Sequence, residues 1–306
     1  MTPDSCFAEM LADRRNEMRR PPASVSLSDI RAAAAAFMRL ASGPGVARVD
    51  EVTIDGPGDA GLRLRLYRPS LDPDLPAVIF CHGGGFVFGD LDTHDALCRG
   101  LAVESGCVIV AVDYRRAPEH TFPAPIDDCL AAIAWVNAQS AALGLRASAV
   151  ALAGDSAGAH IAIGTALTLR DRGAPVRHVA LFYPVIDPGC DSASMTVLGK
   201  GGYLLTRAAM QWFWECYLPA PSRLDPRANA LTADLRAFPS TTVLTAEFDP
   251  LRDEGESFAA HLRTALVPVA VHRCAGMIHG FAGMPQVTPH AAAATEWVGR
   301  ALGRAF

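Results

Sequence analysis

The sequence predicts an α/β chain: a mostly parallel central sheet with helices on both faces. Three observations carry that expectation. Short, β-rich apolar runs recur from residue 77 onward, and helix-length stretches separate them. Most of those runs are too continuously apolar for strands buried on one face only, as expected of strands sandwiched between helical layers. The chain is also long enough, at 306 residues with half of them apolar, to bury such a core.

Residues 1–45 read as helical and set apart from the rest of the chain. Ser28 and Asp29 can cap a helix whose body, Ile30 to Leu40, is rich in alanine, with Phe37, Met38 and Leu40 as apolar contacts. Gly43-Pro44-Gly45 ends it. Val49–Ile54 and Leu62–Tyr67 alternate across a Gly/Pro-rich turn and predict an antiparallel pair. The buried strands are then Ala77–Cys81, Val108–Val112, Ala149–Ala153, Val176–Phe182, Thr242–Ala246 and Val269–Val271. Helices are expected at about 92–105, 124–143, 157–171, 252–266 and 289–304. The segment 188–235 breaks the alternation with Trp212, Phe213, Trp214 and Tyr217 in a helical stretch, followed by Pro219, Pro221 and Pro226. An insertion after a strand's C-terminal end can cover a site, and the N-terminal helices could join it; periodicity fits an ordinary outer helix as well. Its aromatics read more readily as anchors than as pocket walls.

The chemistry-bearing pattern is Gly154-Asp155-Ser156-Ala157-Gly158, at the junction of an expected strand and an expected helix. That is the setting of a nucleophile elbow, although the five letters alone fit a tight turn equally well. A serine hydroxyl needs a base, and the base needs an orienting group. Asp249 falls where the Thr242–Ala246 strand gives way to a loop. Asp253 and Glu254 are its rivals, but they fall in the first turn of a helix, where acids suit the dipole. His279 lies in an expected loop, Cys274 to Phe281, after the last strand. Catalytic groups in open α/β sheets gather at that end of the strands. Ala77–Cys81 opens into His82-Gly83-Gly84-Gly85-Phe86, whose backbone N–H groups, with that of Ala157, can receive a developing oxyanion. His82 reads as a brace for the glycine loop, and Asp155 as structural, its side chain turned from the hydroxyl.

Other functions are disfavoured. The net charge is −5 and the arginines are dispersed, so no nucleic-acid surface is expected. The eight cysteines include no Cys-x-x-Cys pair and read as free thiols of a cytoplasmic protein. Charged residues interrupt the N-terminus, against a signal peptide, and no run reaches membrane-spanning length. Histidines 94, 160, 178, 261, 272 and 290 show no metal spacing and are assigned surface or packing roles. Gly56-Pro-Gly-Asp-Ala-Gly61 matches the letters of a dinucleotide fingerprint but precedes a strand. Gly199-Lys200 is followed by Gly201, unlike a phosphate loop.

Taken together, His82–Phe86, Gly154–Gly158, Asp249-Pro-Leu-Arg-Asp-Glu-Gly255 and His279-Gly-Phe281 resemble the signatures of the hormone-sensitive lipase family of esterases, in its bacterial Gly-Asp-Ser-Ala-Gly branch. Asp113-Tyr-Arg-Arg-Ala-Pro-Glu-His-Thr-Phe-Pro123 is a fifth match, and the resemblance runs from about residue 60 to the C-terminus. It implies an α/β-hydrolase fold whose core spans 46–187 and 236–306, with a helical cap built from 1–45 and the 188–235 insertion. It implies hydrolysis of small carboxylic esters, of short to medium acyl length, without cofactor or metal. Ser156 would be the nucleophile, Asp249 the acid and His279 the base. Gly84, Gly85 and Ala157 would be the oxyanion donors, with Gly83 as the alternative. Glu119 and His120 fall in a segment that is structural in the family. An amidase, lactonase or carbamate hydrolase would use the same triad. A ligand receptor on this fold would lack the histidine, which is present here, and dehalogenases or epoxide hydrolases would carry aspartate at the elbow. A monomer or a homodimer is expected, the latter through an exposed sheet edge.

Overall fold

The computed structural model describes residues 2–39, 43–58, 61–146 and 150–306. Its main elements in chain order are α1 (Ala8–Ala12), α2 (Leu27–Met38), β1 (Arg48–Asp55), β2 (Gly61–Arg68), β3 (Ala77–Cys81), α3 (Asp95–Ser105), β4 (Val108–Val112), α4 (Ala124–Leu143), β5 (Val150–Asp155) and α5 (Ala157–Asp171). They continue with β6 (Val176–Phe182), α6 (Ala193–Leu198), α7 (Arg207–Tyr217), β7 (Thr241–Phe248), α8 (Arg252–Thr264), β8 (Val269–Ile278) and α9 (His290–Gly303).

The eight strands make one sheet in the order β1-β2-β4-β3-β5-β6-β7-β8. β1 pairs antiparallel with β2, and β2 with β4; every later pairing is parallel. The chain runs from β3 out to β4 and then crosses back to β5 on the other side of β3. That reversal opens a crevice at the carboxyl ends of β3 and β5, the place where open α/β sheets bind ligands.

Side-chain alternation along β3 divides the core. Ile79 and Cys81 face the layer that includes α4, α5 and α8, while Val78 and Phe80 face α3 and α9. Residues 157–169 of α5 are all buried. This helix is apolar on every side because sheet, α4 and the inserted segment enclose it, so it needs no solvent face. Each fully buried Leu or Ile there contributes about 1.5–3 kcal/mol over its exposed state.

Several boundaries differ from expectation for local reasons. α2 is capped by Ser26, not by Ser28 or Asp29: the Ser26 hydroxyl accepts the Asp29 N–H at 3.1 Å. α3 starts at Asp95 because the Asp90 carboxylate accepts the N–H groups of Asp92 and Thr93 and holds 90–94 as a turn. β8 continues through Ile278, so Cys274–Ile278, expected in a loop, are paired strand: Cys274 lies opposite Ala246 and, beyond an irregularity, Ile278 lies opposite Phe248. Leu40, Asp59, Ala60 and Ala149, parts of an expected helix, turn and strand, lie outside the described residues.

Candidate active site

β5 ends against α5 with a single residue between them, Ser156, whose φ of 54° and ψ of −118° are unusual for a residue with a side chain. The turn is tight enough that a Cβ on Gly154 would lie 2.5 Å from the Gly158 backbone. Ser156 N–H donates to the Phe182 carbonyl at 2.9 Å, and its own carbonyl accepts from Val185 N–H at 3.2 Å. Backbone bonds to the neighbouring strand's exit thus hold the strained conformation.

Two further strand ends reach the same point. His279 follows β8, and its Nε2 lies 3.0 Å from Ser156 Oγ. Asp249 follows β7, and its Oδ2 lies 2.8 Å from His279 Nδ1. The other Asp249 oxygen accepts the Leu251 N–H at 2.9 Å, which fixes the carboxylate plane. Asp249 is fully buried, and Ser156 and His279 are 7% and 5% exposed, so the line of bonds opens to solvent only through the cavity above it. The rival acids are engaged elsewhere. Asp253 accepts from Ser194 N–H and pairs with Arg252. Glu254 accepts from Ile186 N–H at 2.7 Å, and burial pushes its carboxyl well above the ordinary range.

The glycine loop after β3 takes positive φ at Gly84 (119°) and Gly85 (60°), a path that glycine adopts without strain. Both glycines border the cavity beside Ser156 and His279, and Ala157 opens α5. Among the described residues, the N–H groups of Gly84, Gly85 and Ala157 donate to no protein acceptor. Gly83 differs. Its N–H donates to Asp155 Oδ1 at 2.7 Å, so it is not free to receive an oxyanion, and the expectation that it could serve as a donor is corrected. The Asp155 carboxylate accepts the Gly83 N–H. His82 Nδ1 meets the Gly83 carbonyl at 2.8 Å, its ring stacks on Tyr114, and burial lowers its pKa to about 4.

Two residues here carried little sequence signal. His94, assigned a surface or packing role, is buried with Nε2 3.3 Å from Asp155 Oδ1. Tyr183 follows β6 and sets its ring edge-on to His279, centroids 5.0 Å apart. Its place at a strand's carboxyl end was the one available pointer. Glu119 receives the Arg31 guanidinium through two bonds and ties its loop to α2.

Above these residues lies a cavity of about 540 Å³. Ile30, Ala33 and Phe37 of α2 form one wall, and Met210 and Phe213 of α7 another. The two pieces are joined directly: Met18 N–H donates to the Leu204 carbonyl at 2.7 Å, and the Thr206 hydroxyl donates to the Met18 carbonyl at 2.6 Å. Among the inserted aromatics, Phe213 lines the cavity, whereas Tyr217 stacks on Phe86 at 3.9 Å and Trp214 packs against Phe86 and His160. The cysteines are all free. Among the described residues no helix is long and apolar enough to cross a membrane.

Comparison with known proteins matches residues 78–283 to the α/β-hydrolase fold family. An ethyl acetate hydrolase of Pseudomonas putida is 40% identical over 238 residues, 75% of this chain and 74% of its own length. The carboxylesterase NlhH of Mycobacterium tuberculosis is 38% identical over 266 residues, 85% of this chain and 83% of its own. Among solved structures, a hyperthermophilic esterase from the archaeon Pyrobaculum calidifontis superimposes with a TM-score of 0.91 at 36% identity, over 99% of both chains.

Proposed function

We propose that this chain, which belongs to the hormone-sensitive-lipase-like branch of the α/β-hydrolase fold family, hydrolyses small carboxylic esters through an acyl-enzyme on Ser156. The observation that carries the reading is the continuous hydrogen-bonded line from Ser156 Oγ through His279 to Asp249 beneath an apolar-walled cavity. His279 takes the Ser156 proton as the alkoxide attacks the ester carbonyl, and Asp249 holds the ring and balances its charge. The N–H groups of Gly84, Gly85 and Ala157 receive the oxyanion, each such donor being worth roughly 10²–10³ in rate. His279 returns the proton to the leaving alcohol and then activates the water that releases the acid.

Residues 1–45 and 188–235 act as one cap whose walls define an acyl pocket for short to medium chains. The scattered free cysteines suit a reducing cytoplasm. The decisive experiment replaces Ser156 by alanine and follows p-nitrophenyl ester hydrolysis over a series of acyl lengths. A fall in kcat of roughly 10⁴–10⁶-fold is expected, as for loss of a triad nucleophile. Full activity in that variant would refute the assignment. The wild-type length series reports how deep a chain the cavity accepts.

A further inference from the structure

In the reaction proposed above, His279 Nε2 changes partners: it takes the Ser156 proton and then hands it to the leaving oxygen. Once Nε2 has turned from Ser156 Oγ, 3.0 Å away, the bond from Nδ1 to Asp249, 2.8 Å, is the one hydrogen bond left on the ring. A single bond lets the ring pivot, and the last torsion of a histidine side chain is soft. The backbone adds little restraint. Gly280 follows with a φ of 79°, and a Cβ built there would meet only Met284, at 3.6 Å. His279 also borders the cavity of about 540 Å³, so there is space for the ring to swing into.

Tyr183 supplies the missing restraint. β6 ends at Phe182, and the Tyr183 N–H makes one more bond, to the Leu244 carbonyl of β7 at 2.6 Å. The chain then turns at a φ of 36°, uncommon for a residue with a side chain. Both flanks are tied to the nucleophile: the Phe182 carbonyl accepts the Ser156 N–H at 2.9 Å, and the Val185 N–H donates to the Ser156 carbonyl at 3.2 Å. The Tyr183 side chain is thus fixed relative to Ser156 itself. Its ring meets the His279 ring with centroids 5.0 Å apart and planes at 64°, and it meets Phe281, two residues beyond His279, at 6.0 Å. Both separations fall within the range of about 4.5–7 Å over which aromatic rings pack favourably. Tyr183 is 2% exposed and Phe281 fully buried, and a ring so enclosed does not yield when its neighbour pushes.

We propose that Tyr183 is a positioning residue for His279: its ring is the buttress that keeps the imidazole aimed while Nε2 passes from Ser156 Oγ to the leaving-group oxygen. The inference rests on the hydrolase reading above. Its signature is a dependence on the leaving group. A p-nitrophenolate departs without a proton, whereas an alkoxide needs the proton that His279 carries. A poorly aimed imidazole therefore slows an alkyl ester more than a nitrophenyl ester of the same acid.

The test compares wild type, Tyr183→Phe and Tyr183→Leu on p-nitrophenyl acetate and p-nitrobenzyl acetate, which have nearly the same shape. The quantity read is kcat/KM, which reports the half-reaction in which the leaving group departs. Tyr183→Leu is expected to lose roughly 100-fold on the benzyl ester and about tenfold on the phenyl ester, the scale of a misplaced catalytic group. Tyr183→Phe keeps the ring and should recover most of both. Equal losses on the two esters, no loss, or a rise in KM with kcat unchanged overturns the positioning role. So does a Tyr183→Phe variant no better than Tyr183→Leu. If Tyr183→Leu does not fold, the native chain carries the test, crystallised after reaction with ethyl p-nitrophenyl methylphosphonate. The Ser156 Oγ–P bond forms as p-nitrophenolate leaves, and the adduct's ethoxy oxygen takes the leaving-group position. The His279 ring should still lie against Tyr183, with Nε2 within hydrogen-bond reach of the ethoxy oxygen or of Ser156 Oγ. An imidazole swung clear of Tyr183 overturns the proposal. Ester hydrolysis that survives Ser156→Ala overturns the hydrolase reading and this proposal with it, whereas equal losses on the two esters leave that reading standing.

Discussion

The floor of the cavity and its walls are held together by different means. Ser156, Asp249 and Gly83–Gly85 stand at the exits of β5, β7 and β3, and short bonds that involve backbone N–H and carbonyl groups fix them. The walls come from two segments far apart in the chain. They are stitched by bonds such as Met18 N–H to the Leu204 carbonyl and by the ion pair Arg20–Glu215, while Arg31–Glu119 ties α2 to a loop of the core. Arg20 and Glu215 are 57% and 48% exposed, and a pair that open contributes about 0–1 kcal/mol. The floor is therefore the rigid part. The walls can change residues, and with them substrate preference, while the chemistry beneath stays intact.

Three measurements press on that contrast. The largest effect is expected from Asp249→Asn, which leaves the floor's shape but favours the wrong histidine tautomer. It should cut kcat by roughly 10⁴-fold and leave KM within a fewfold. A variant that loses KM but keeps kcat would show that Asp249 belongs to binding rather than to chemistry. Next is acid pH. The His160 ring lies against Phe86, Trp214 and Tyr217 and is held by burial at a pKa of about 4. Its folded-state pKa is below the unfolded value of about 6.5, so its stabilisation is complete above that value. It is lost as pH falls from there through about 4. The cost is on the order of 3 kcal/mol for this one group. Urea unfolding across that window should show stability falling with acidity, less steeply in His160→Phe. Equal slopes in the two proteins would remove His160 from the account.

The smallest effect is expected at the wall. Ala33 is exposed on α2 and borders the cavity, so Ala33→Phe adds volume where there is space for it. It should lower kcat/KM for the longest esters by about tenfold, roughly the 1–3 kcal/mol that pocket fit is worth, and for acetate least of all. An equal loss across all chain lengths would mean that wall and floor are not separable.

The strands and the floor were legible in the sequence because their determinants are local. Continuous apolar runs marked β3, β4 and β6 at their observed boundaries, and glycine-flanked polar residues after such runs marked Ser156, His279 and the oxyanion loop. Asp249 could be preferred to Asp253 and Glu254 from its position at a strand end. Misreadings arose where a long-range partner decided the outcome. β8 ran on through Ile278 because β7 offered a pairing edge, which the glycine-rich composition of the segment could not announce. The engagement of Gly83 N–H by Asp155 spans 72 residues, and the burial of His94 depends on the same carboxylate.

By itself the sequence determined the class of fold, the order of its strands along the chain and the polar residues that stand near their carboxyl ends. All of these follow from periodicity, turn chemistry and side-chain type within short windows. Only the tertiary structure decided which N–H groups of the glycine loop stay free, which histidine lies beside Asp155, and which inserted aromatic faces the cavity. The physical reason is that hydrogen-bond acceptors and packing volume are shared among segments that meet only in three dimensions. Whether Gly83 or Gly84 keeps a free N–H depends on where the Asp155 carboxylate comes to rest.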